Sequence, residues 1–258
     1  MRSKSLVVIY GERESIKNII HDIDAFLPSR ALYVMGIVPF LRSRAFFNRL
    51  YIEAVTKKLM EEFKEVDEIL GKKRVDVVNK EIVHGKPGDA LRKYIRDNGF
   101  EIVFIPLQLP PSTSILRSVA DLVSRDALTA ILYTPQTRIG CSNDILVLAR
   151  ENPPCRFHVG YTGIADIDTV EIAFTHKPSL DMVEDYLRKR KGFKYKHLVL
   201  SMIRSRDVEE RIKDGLRRYR FVIIHPDLFY KKAFRGYMIT PLAKAVLLSS
   251  RRPVIVSA

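Results

Sequence analysis

The sequence contains few potential metal ligands. Only two of its 258 residues are cysteines, Cys141 and Cys155, and the six histidines are scattered singly along the chain. A structural zinc site needs about four Cys, His or carboxylate ligands, usually including one closely spaced pair. We therefore expect no metal site. Reduced thiols are the expectation for a cytoplasmic chain, and a disulfide between the two cysteines is the alternative.

Long hydrophobic runs are also absent. No stretch of about 18 apolar residues occurs, which excludes a transmembrane helix and favours a protein without a membrane partner. The apolar start at residues 6–10 is too short for a signal peptide and predicts a first strand. We therefore expect a cytoplasmic protein.

Tryptophan is missing and glutamine occurs only twice, whereas 29% of the residues are charged. Few thermolabile side chains beside many Lys, Arg and Glu favour a thermophilic source. The apolar share of 47% is enough for a sizeable core. At about 100–200 residues per domain, the length suggests two small domains or one large one.

Hydrophobic periodicity predicts alternating strands and helices in the first half. The predicted strands lie at 6–10, 31–38, 75–83, 101–105 and 130–133, and the helices at 12–26, 45–70, 87–98 and 115–127. Gly71 and Gly99 stand where helix C-caps are expected. Apolar strands separated by helices are typical of a parallel sheet covered on both faces. The sequence therefore predicts an α/β fold with an open, doubly wound parallel sheet.

The second half repeats this pattern in shortened form. An irregular segment at 151–168 replaces the first helix and a loop precedes the last one. The strands are predicted at 144–149, 169–175, 196–202, 221–225 and 253–257, and the helices at 179–190, 206–219 and 240–250.

Two pairs of segments match at a constant offset of 123 residues: 119–123 with 242–246, and 130–133 with 253–256. A repeat of this length indicates a domain duplication and not a solenoid. We predict two tandem domains, residues 1–136 and 137–258, of which the second is diverged. The boundary falls in a stretch of turn-forming residues.

Three segments resemble the universal stress protein family: Leu6–Ser15 its first strand and turn, Val83–Leu91 its Gly-x-Pro helix start, and Arg117–Leu132 its last helix and strand. The chain is similar to tandem members of that family over nearly its whole length, more closely in the first half. The resemblance implies adenine nucleotide alpha hydrolase-like domains with five-stranded parallel sheets and a role in stress response. It also implies pairing through the final strands, which makes a tandem chain a pseudo-dimer. Association of two such chains into a homodimer is an additional alternative.

Members of that family that bind ATP use a glycine-rich loop after the fourth strand, because glycines let backbone N–H groups approach phosphates. Here the glycine positions hold Pro106, Leu109 and Arg117, and only Ser118 matches. Proline offers no N–H, and Tyr10 replaces the acidic residue of the family's first turn. Residues 225–228 and 240–241 of the second half lack the glycines too. We therefore predict a degenerate ATP loop in both halves and no cofactor, with ATP bound through an atypical loop as the alternative.

A crevice at the carboxyl ends of the strands is still the place to seek a ligand, because the topological switch point of the sheet lies there. The hydroxyls of residues 112–114 precede a helix there, with an arginine as a phosphate partner; the alternative is that Ser112 or Thr113 caps the helix. We interpret the histidines near strand ends, His225 among them, as packed or hydrogen-bonded side chains and not as catalysts. The crevice candidates are Tyr10, Gly11, His84, Gly85, Arg117 and Ser118.

Catalytic motifs are missing from the sequence. It contains no G-x-S-x-G elbow, no P-loop and no H-E-x-x-H pair. Asp166, Asp168 and Glu171 form a small acidic group that could hold magnesium or balance charge. No nucleophile with a base can be picked out, so we predict that the protein is not an enzyme.

Positive charge is concentrated in the second half. The net charge of +14 divides into +4 for residues 1–136 and +10 for residues 137–258. Lys and Arg neutralise phosphates, and neighbouring aromatics can stack on bases. The alternative is that these cations lie at helix C-termini, where the dipole favours them. The polyanion-patch candidates are Arg188, Lys189, Arg190, Lys191, Lys194, Lys196, Arg217, Arg218, Lys231 and Lys232.

The sequence thus favours a non-catalytic regulatory or binding protein that resembles universal stress proteins. It would act through an unidentified protein partner or small ligand. Binding of nucleic acid or another polyanion by the second half is the alternative, and ATP binding through an atypical loop is a second one.

Overall fold

The computed structural model describes most of the chain. The residues described are 4–10, 13–27, 31–39, 45–126, 128–151, 167–179, 181, 183, 195–204, 207–208, 210–211, 218–234 and 236–257.

The first half alternates strands and helices as predicted. Its elements are β1 (Ser5–Ile9), α1 (Arg13–Asp22) with a 3₁₀ turn (Ile23–Ala25), β2 (Ala31–Pro39), α2 (Ala45–Lys72), β3 (Asp76–Gly85), α3 (Pro87–Asn98), β4 (Ile102–Pro106), α4 (Thr113–Asp126) and β5 (Thr129–Tyr133).

The second half begins with β6 (Asp144–Ala149), β7 (Ile167–Phe174), β8 (Tyr195–Met202) and β9 (Tyr219–Ile224). It ends with α5 (Pro226–Phe229), β10 (Tyr230–Ala233), β11 (Gly236–Ile239), α6 (Pro241–Ser249) and β12 (Val254–Val256). The predicted irregular segment and the helices at 179–190 and 206–219 lie largely outside the described residues.

Two glycines were predicted as helix caps, and one of them has another role. Helix α3 starts with Pro87, whose fixed φ suits the first turn, and ends at Gly99 with φ 67°. The cap prediction for Gly71 is wrong, because α2 continues through it to Lys72. The left-handed residue after α2 is instead Arg74, with φ 56°.

One ten-stranded sheet runs through both halves in the order β3-β2-β1-β4-β5-β12-β9-β6-β7-β8. Neighbouring strands are parallel except at the centre, where β5 and β12 are antiparallel. The predicted α/β class with a mostly parallel sheet is confirmed. From either edge, the strands of each half are met in the order third, second, first, fourth, fifth.

The central pairing has a two-fold character. Leu132 faces Val254, and Ile131 faces Ile255. The 123-residue offset carries Ile131 onto Val254 and Leu132 onto Ile255, so it converts each of these two pairs into the other. The sequence repeat and the local symmetry of the sheet therefore have the same register.

Both faces of the sheet are buried except at its two edges, where β3 and β8 are exposed or only partly buried. Leu6 and Val8 belong to one apolar cluster, and Val7 and Ile9 belong to a second one. Because side chains alternate across a strand, the two clusters lie on opposite faces. This explains why the strands read as continuous apolar runs and not as alternating ones.

The connection between β9 and α6 was predicted as a loop, which is wrong. It forms the short helix α5 and the hairpin β10–β11, in which Tyr230 pairs with Ile239 and Lys231 with Met238. The hairpin packs on α4 of the first half through β11. The Tyr230 and Tyr237 rings meet edge to face at 4.8 Å.

Among the described helices, none is both long and apolar enough to cross a membrane. Cys141 is exposed and free, and Cys155 lies outside the described residues.

Candidate ligand-binding site

The first topological switch point lies between β1 and β4, and Leu107 fills the space at their carboxyl ends. Leu107 is only 2% exposed. The Leu107 N–H donates to the Tyr133 carbonyl oxygen at 2.6 Å. The buried Ser15 hydroxyl donates to the Leu107 carbonyl oxygen at 3.1 Å. Because its N–H is already bonded, Leu107 presents no free N–H group to a phosphate.

Ser118 makes an internal contact between two helices. It is 2% exposed, and its hydroxyl lies 2.9 Å from the Gly88 carbonyl oxygen and 3.0 Å from that of Ser114. A Cβ on Gly88 would lie 2.6 Å from the hydroxyls of both serines. The first turns of α3 and α4 therefore touch at this glycine, and the hydroxyl that matches the family loop is used for packing.

Three other crevice candidates lie at the same edge of the sheet without converging. Tyr10 is half-buried against the core, and burial, with a smaller contribution from Tyr51, raises the pKa of its hydroxyl. His84 and Gly85 end β3, which β2 separates from β1. Gly85 has φ 150°, which favours glycine. Gly11 lies outside the described residues.

The second switch point lies between β6 and β9, where His225 follows β9. Its N–H donates to the Leu148 carbonyl oxygen at 2.9 Å, and its Nδ1 accepts from the Asp227 N–H at 3.3 Å, which caps α5. Burial lowers the pKa of His225, and the nearby Asp227 carboxylate partly opposes this. His225 is thus engaged in capping.

The acidic group of the second half is divided between two ion pairs. Asp168 binds Lys196 at 2.6 Å. The buried Glu171 accepts hydrogen bonds from Ser201, Arg211 and the Tyr219 hydroxyl. Burial raises the pKa of Glu171, and these three bonds outweigh it and hold the pKa below its ordinary value.

Asp166 lies outside the described residues, and within the described part of the chain no cluster of three His, Cys, Asp or Glu side chains could hold a metal ion. A cavity of about 570 Å³ lies near Tyr219, with arginines and carboxylates in its lining. Its mixed charges select no ligand class.

The described part of the basic patch is partly neutralised. Lys196 is paired with Asp168, and Arg218 lies 3.5 Å from Asp144 and over the Tyr219 ring. Lys231 and Lys232 are exposed on β10. The remaining candidates lie outside the described residues: Arg188, Lys189, Arg190, Lys191, Lys194 and Arg217.

Arg117, in contrast, lines an open groove of about 370 Å³ between α4, the β10–β11 hairpin and α6. The β4–α4 and β9–α6 connections, which hold equivalent places in the two halves of the sheet, both contribute to it. Its polar side chains are Thr113, Arg117 and Lys244. Its apolar lining is Pro110, Pro111, Leu116, Met238, Ile239 and Leu248.

Sequence reasoning singled out Thr113 and Arg117 and missed the other residues that line the groove. The missed wall comes from the hairpin, which was read as a loop, and from Lys244 and Leu248 on α6. The apolar run at 237–239 is only three residues long, which is too short to predict a strand by itself. The capping alternative is not seen, because neither the Ser112 nor the Thr113 hydroxyl makes a hydrogen bond within the described part of the chain.

The fold is that of universal stress proteins. No family model matches the sequence, and no curated protein matches it. A universal stress protein from Archaeoglobus fulgidus DSM 4304 superposes with a TM-score of 0.62 at 11% identity, over 99% of this chain and 98% of its own.

Two structures from Pseudomonas aeruginosa are also similar. One, from strain UCBPP-PA14, carries the name of a universal stress protein. It gives a TM-score of 0.52 at 13% identity, over 99% of this chain and 92% of its own. The other, from strain PAO1, is functionally unknown and gives 0.50 at 14%, with the same coverage. At these identities the likeness establishes the fold alone.

Proposed function

We propose that the chain is a non-catalytic regulatory or binding protein with a universal stress protein-like fold, and that it does not bind ATP through the loop after the fourth strand. It acts by binding a small ligand or a protein partner in the cytoplasm. The observation that carries the proposal is the use of Ser118 between α3 and α4, together with the burial of Leu107 at the switch point.

Domain duplication is part of this proposal. The register of β5 and β12 supports it, since the 123-residue offset exchanges the pairs Leu132–Val254 and Ile131–Ile255. The domains are residues 1–136 and 137–258, so the chain is its own pseudo-dimer. A further homodimer of two chains is not required, because the strands that the family resemblance would pair already meet within one chain.

The test is thermal unfolding with and without Mg-ATP. A ligand at about 100 times its Kd stabilises the folded state by about 2.7 kcal/mol, which is a rise of several degrees in Tm for a chain of this size. We expect no rise for this protein. A matched variant, Ser118→Ala, should lower Tm equally with and without the nucleotide; an ATP-dependent rise in the wild type that the variant lacks would overturn the proposal.

Polyanion binding is the second candidate, and the exposure of Lys231 and Lys232 on β10 favours it. It predicts binding of a labelled RNA or DNA whose affinity falls steeply with salt. Lys231→Ala with Lys232→Ala should then reduce both the affinity and the salt slope. Binding that is insensitive to salt, or absent at low salt, excludes this candidate.

A further inference from the structure

We propose that the groove between α4, the β10–β11 hairpin and α6 binds a small amphipathic anion, a molecule with one aliphatic chain and one carboxylate. The inference rests on the proposed function and deepens it, since it names the class of small ligand and the place where it binds. None of the residues that line the groove belongs to β1, β4, β6 or β9, the strands that flank the switch points.

An unpartnered apolar wall is the first observation. Met238 is 45% exposed and Leu248 is 56% exposed, and both line the groove. They continue into Leu116 and Ile239, whose side chains are buried. Covering such a wall with an aliphatic chain removes apolar surface from water on both partners, which is favourable in proportion to the area buried.

The charge of the groove is the second observation. Arg117 and Lys244 line it, and none of the described residues in its lining is a carboxylate. Within the described part of the chain, neither cation makes an ion pair. Arginines elsewhere on α3 and α4 are neutralised, since Arg96 and Arg125 both pair with Asp121 at 2.9 Å. The two groove cations therefore remain for a ligand.

A third cation lies on the same face of the hairpin. Lys231 is directly opposite Met238 in the β10–β11 register. Opposed residues of an antiparallel pair project to the same face, so Lys231 adds positive potential beside the apolar wall. One apolar chain with one anionic end matches this combination, whereas a cationic or purely polar ligand does not.

The size of the groove limits the ligand. At about 30 Å³ for each water-sized unit, 370 Å³ corresponds to roughly 12 non-hydrogen atoms. Decanoate, with a ten-carbon chain ending in a carboxylate, has that size. Sites for small ligands span about 300–1,000 Å³, so the groove is at the lower end and suits one short chain.

Calorimetric titration of the full chain with decanoate is the test. We expect saturable binding with a Kd on the order of 0.1 mM, typical of a ligand of this size. From hexanoate to decanoate the affinity should rise about fourfold for each CH₂ that is buried. Decanol, with the same chain and no charge, should bind at least tenfold more weakly.

Two sets of variants locate the site. Arg117→Glu with Lys244→Glu should weaken decanoate at least tenfold and leave decanol unaffected, whereas Leu248→Ser should weaken both. The matched control is Lys57→Glu with Lys64→Glu, which makes the same charge change on exposed positions of α2 and should leave the affinity unchanged. Urea unfolding of each variant verifies that it folds.

Each outcome decides between the alternatives. Three results would overturn the inference. The titration with decanoate gives no heat, decanoate binds no better than decanol, or decanoate binds the groove variants and the control variants equally. Mg-ATP is titrated into the same protein. Binding of Mg-ATP overturns the proposed function. If neither Mg-ATP nor decanoate binds, only the inference about the groove is overturned.

Discussion

Ser118 and Gly88 hold the first turns of α4 and α3 together, with 2.9 Å between the serine hydroxyl and the glycine carbonyl oxygen. Gly88 directly follows the Gly-x-Pro helix start at residues 85–87, and Ser118 is the residue that matches the ATP loop of the family. Two segments that carry the family resemblance thus form a packing contact. Helix α3 approaches α4 this closely because residue 88 has no Cβ.

Gly88→Ala tests this contact. The added methyl would lie 2.6 Å from two serine hydroxyls and 2.7 Å from the Ser114 carbonyl oxygen, so the helices must separate. We expect a loss of about 1–3 kcal/mol in the free energy of unfolding, measured in urea. Gly71→Ala is the control: nothing lies within 4 Å of its Cβ, and a helical alanine should be neutral or stabilising by up to about 1 kcal/mol. Equal stabilities for the two variants would contradict the packing account.

The segment after β5 is fixed to α1 by Asp22. This carboxylate is buried, and it accepts from the Ile139 N–H at 2.8 Å. Asp22→Ala leaves that N–H without its partner, and we expect a loss of about 1–3 kcal/mol in urea unfolding. Asp24→Ala removes an exposed carboxylate paired with Lys73 and should cost at most about 0.5 kcal/mol. If the two variants lose the same stability, the Asp22 carboxylate does not fix this segment to α1.

Glu171 should make stability depend on pH in the acid range. Its pKa in the folded chain lies below the ordinary 4.5. As the pH falls, the unfolded chain therefore binds more protons than the folded chain does. Its contribution is therefore full above pH 4.5 and is lost as the pH falls through the lowered value. Glu171→Gln should cost about 1–3 kcal/mol at pH 7, and the difference from wild type should shrink below pH 4.5.

The control for that series is Glu53→Gln, an exposed position on α2 that is paired with Arg49. It should remain within about 0.5 kcal/mol of wild type at every pH. A Glu171 variant whose loss stays constant from pH 7 to pH 3 would show that the carboxylate charge is unimportant there.

His225 should add a second pH dependence near neutrality. Burial lowers its pKa from 6.5, so below about pH 6.5 the unfolded chain takes up a proton that the folded chain resists. Stability therefore falls as the pH drops from 7 to 5. His225→Asn keeps a side chain able to cap α5 and should flatten this part of the urea-unfolding profile, whereas His176→Asn at an exposed position should not. A profile that both variants leave unchanged would contradict the assignment.

Strand positions and the α/β class could be predicted because burial on both faces of the sheet leaves continuous apolar runs. The 123-residue offset could be found in the sequence because 119–123 and 242–246 keep the same register, and the domain duplication that we infer from it stays a proposal. The hairpin at 230–239 could not, since its inner face is stabilised by α4 of the other half, a contact that local pattern does not encode. Ser118 was found as a candidate, but its use depends on the approach of Gly88, which is tertiary.

Amide hydrogen exchange at residues 107–118, with and without saturating Mg-ATP, tests the central claim most directly. In this segment the Leu107 N–H is bonded to the Tyr133 carbonyl oxygen and the Leu116 N–H to that of Ser112, so these amides already have partners. The account predicts identical exchange in both conditions. Protection of these amides that grows with Mg-ATP and saturates would contradict it.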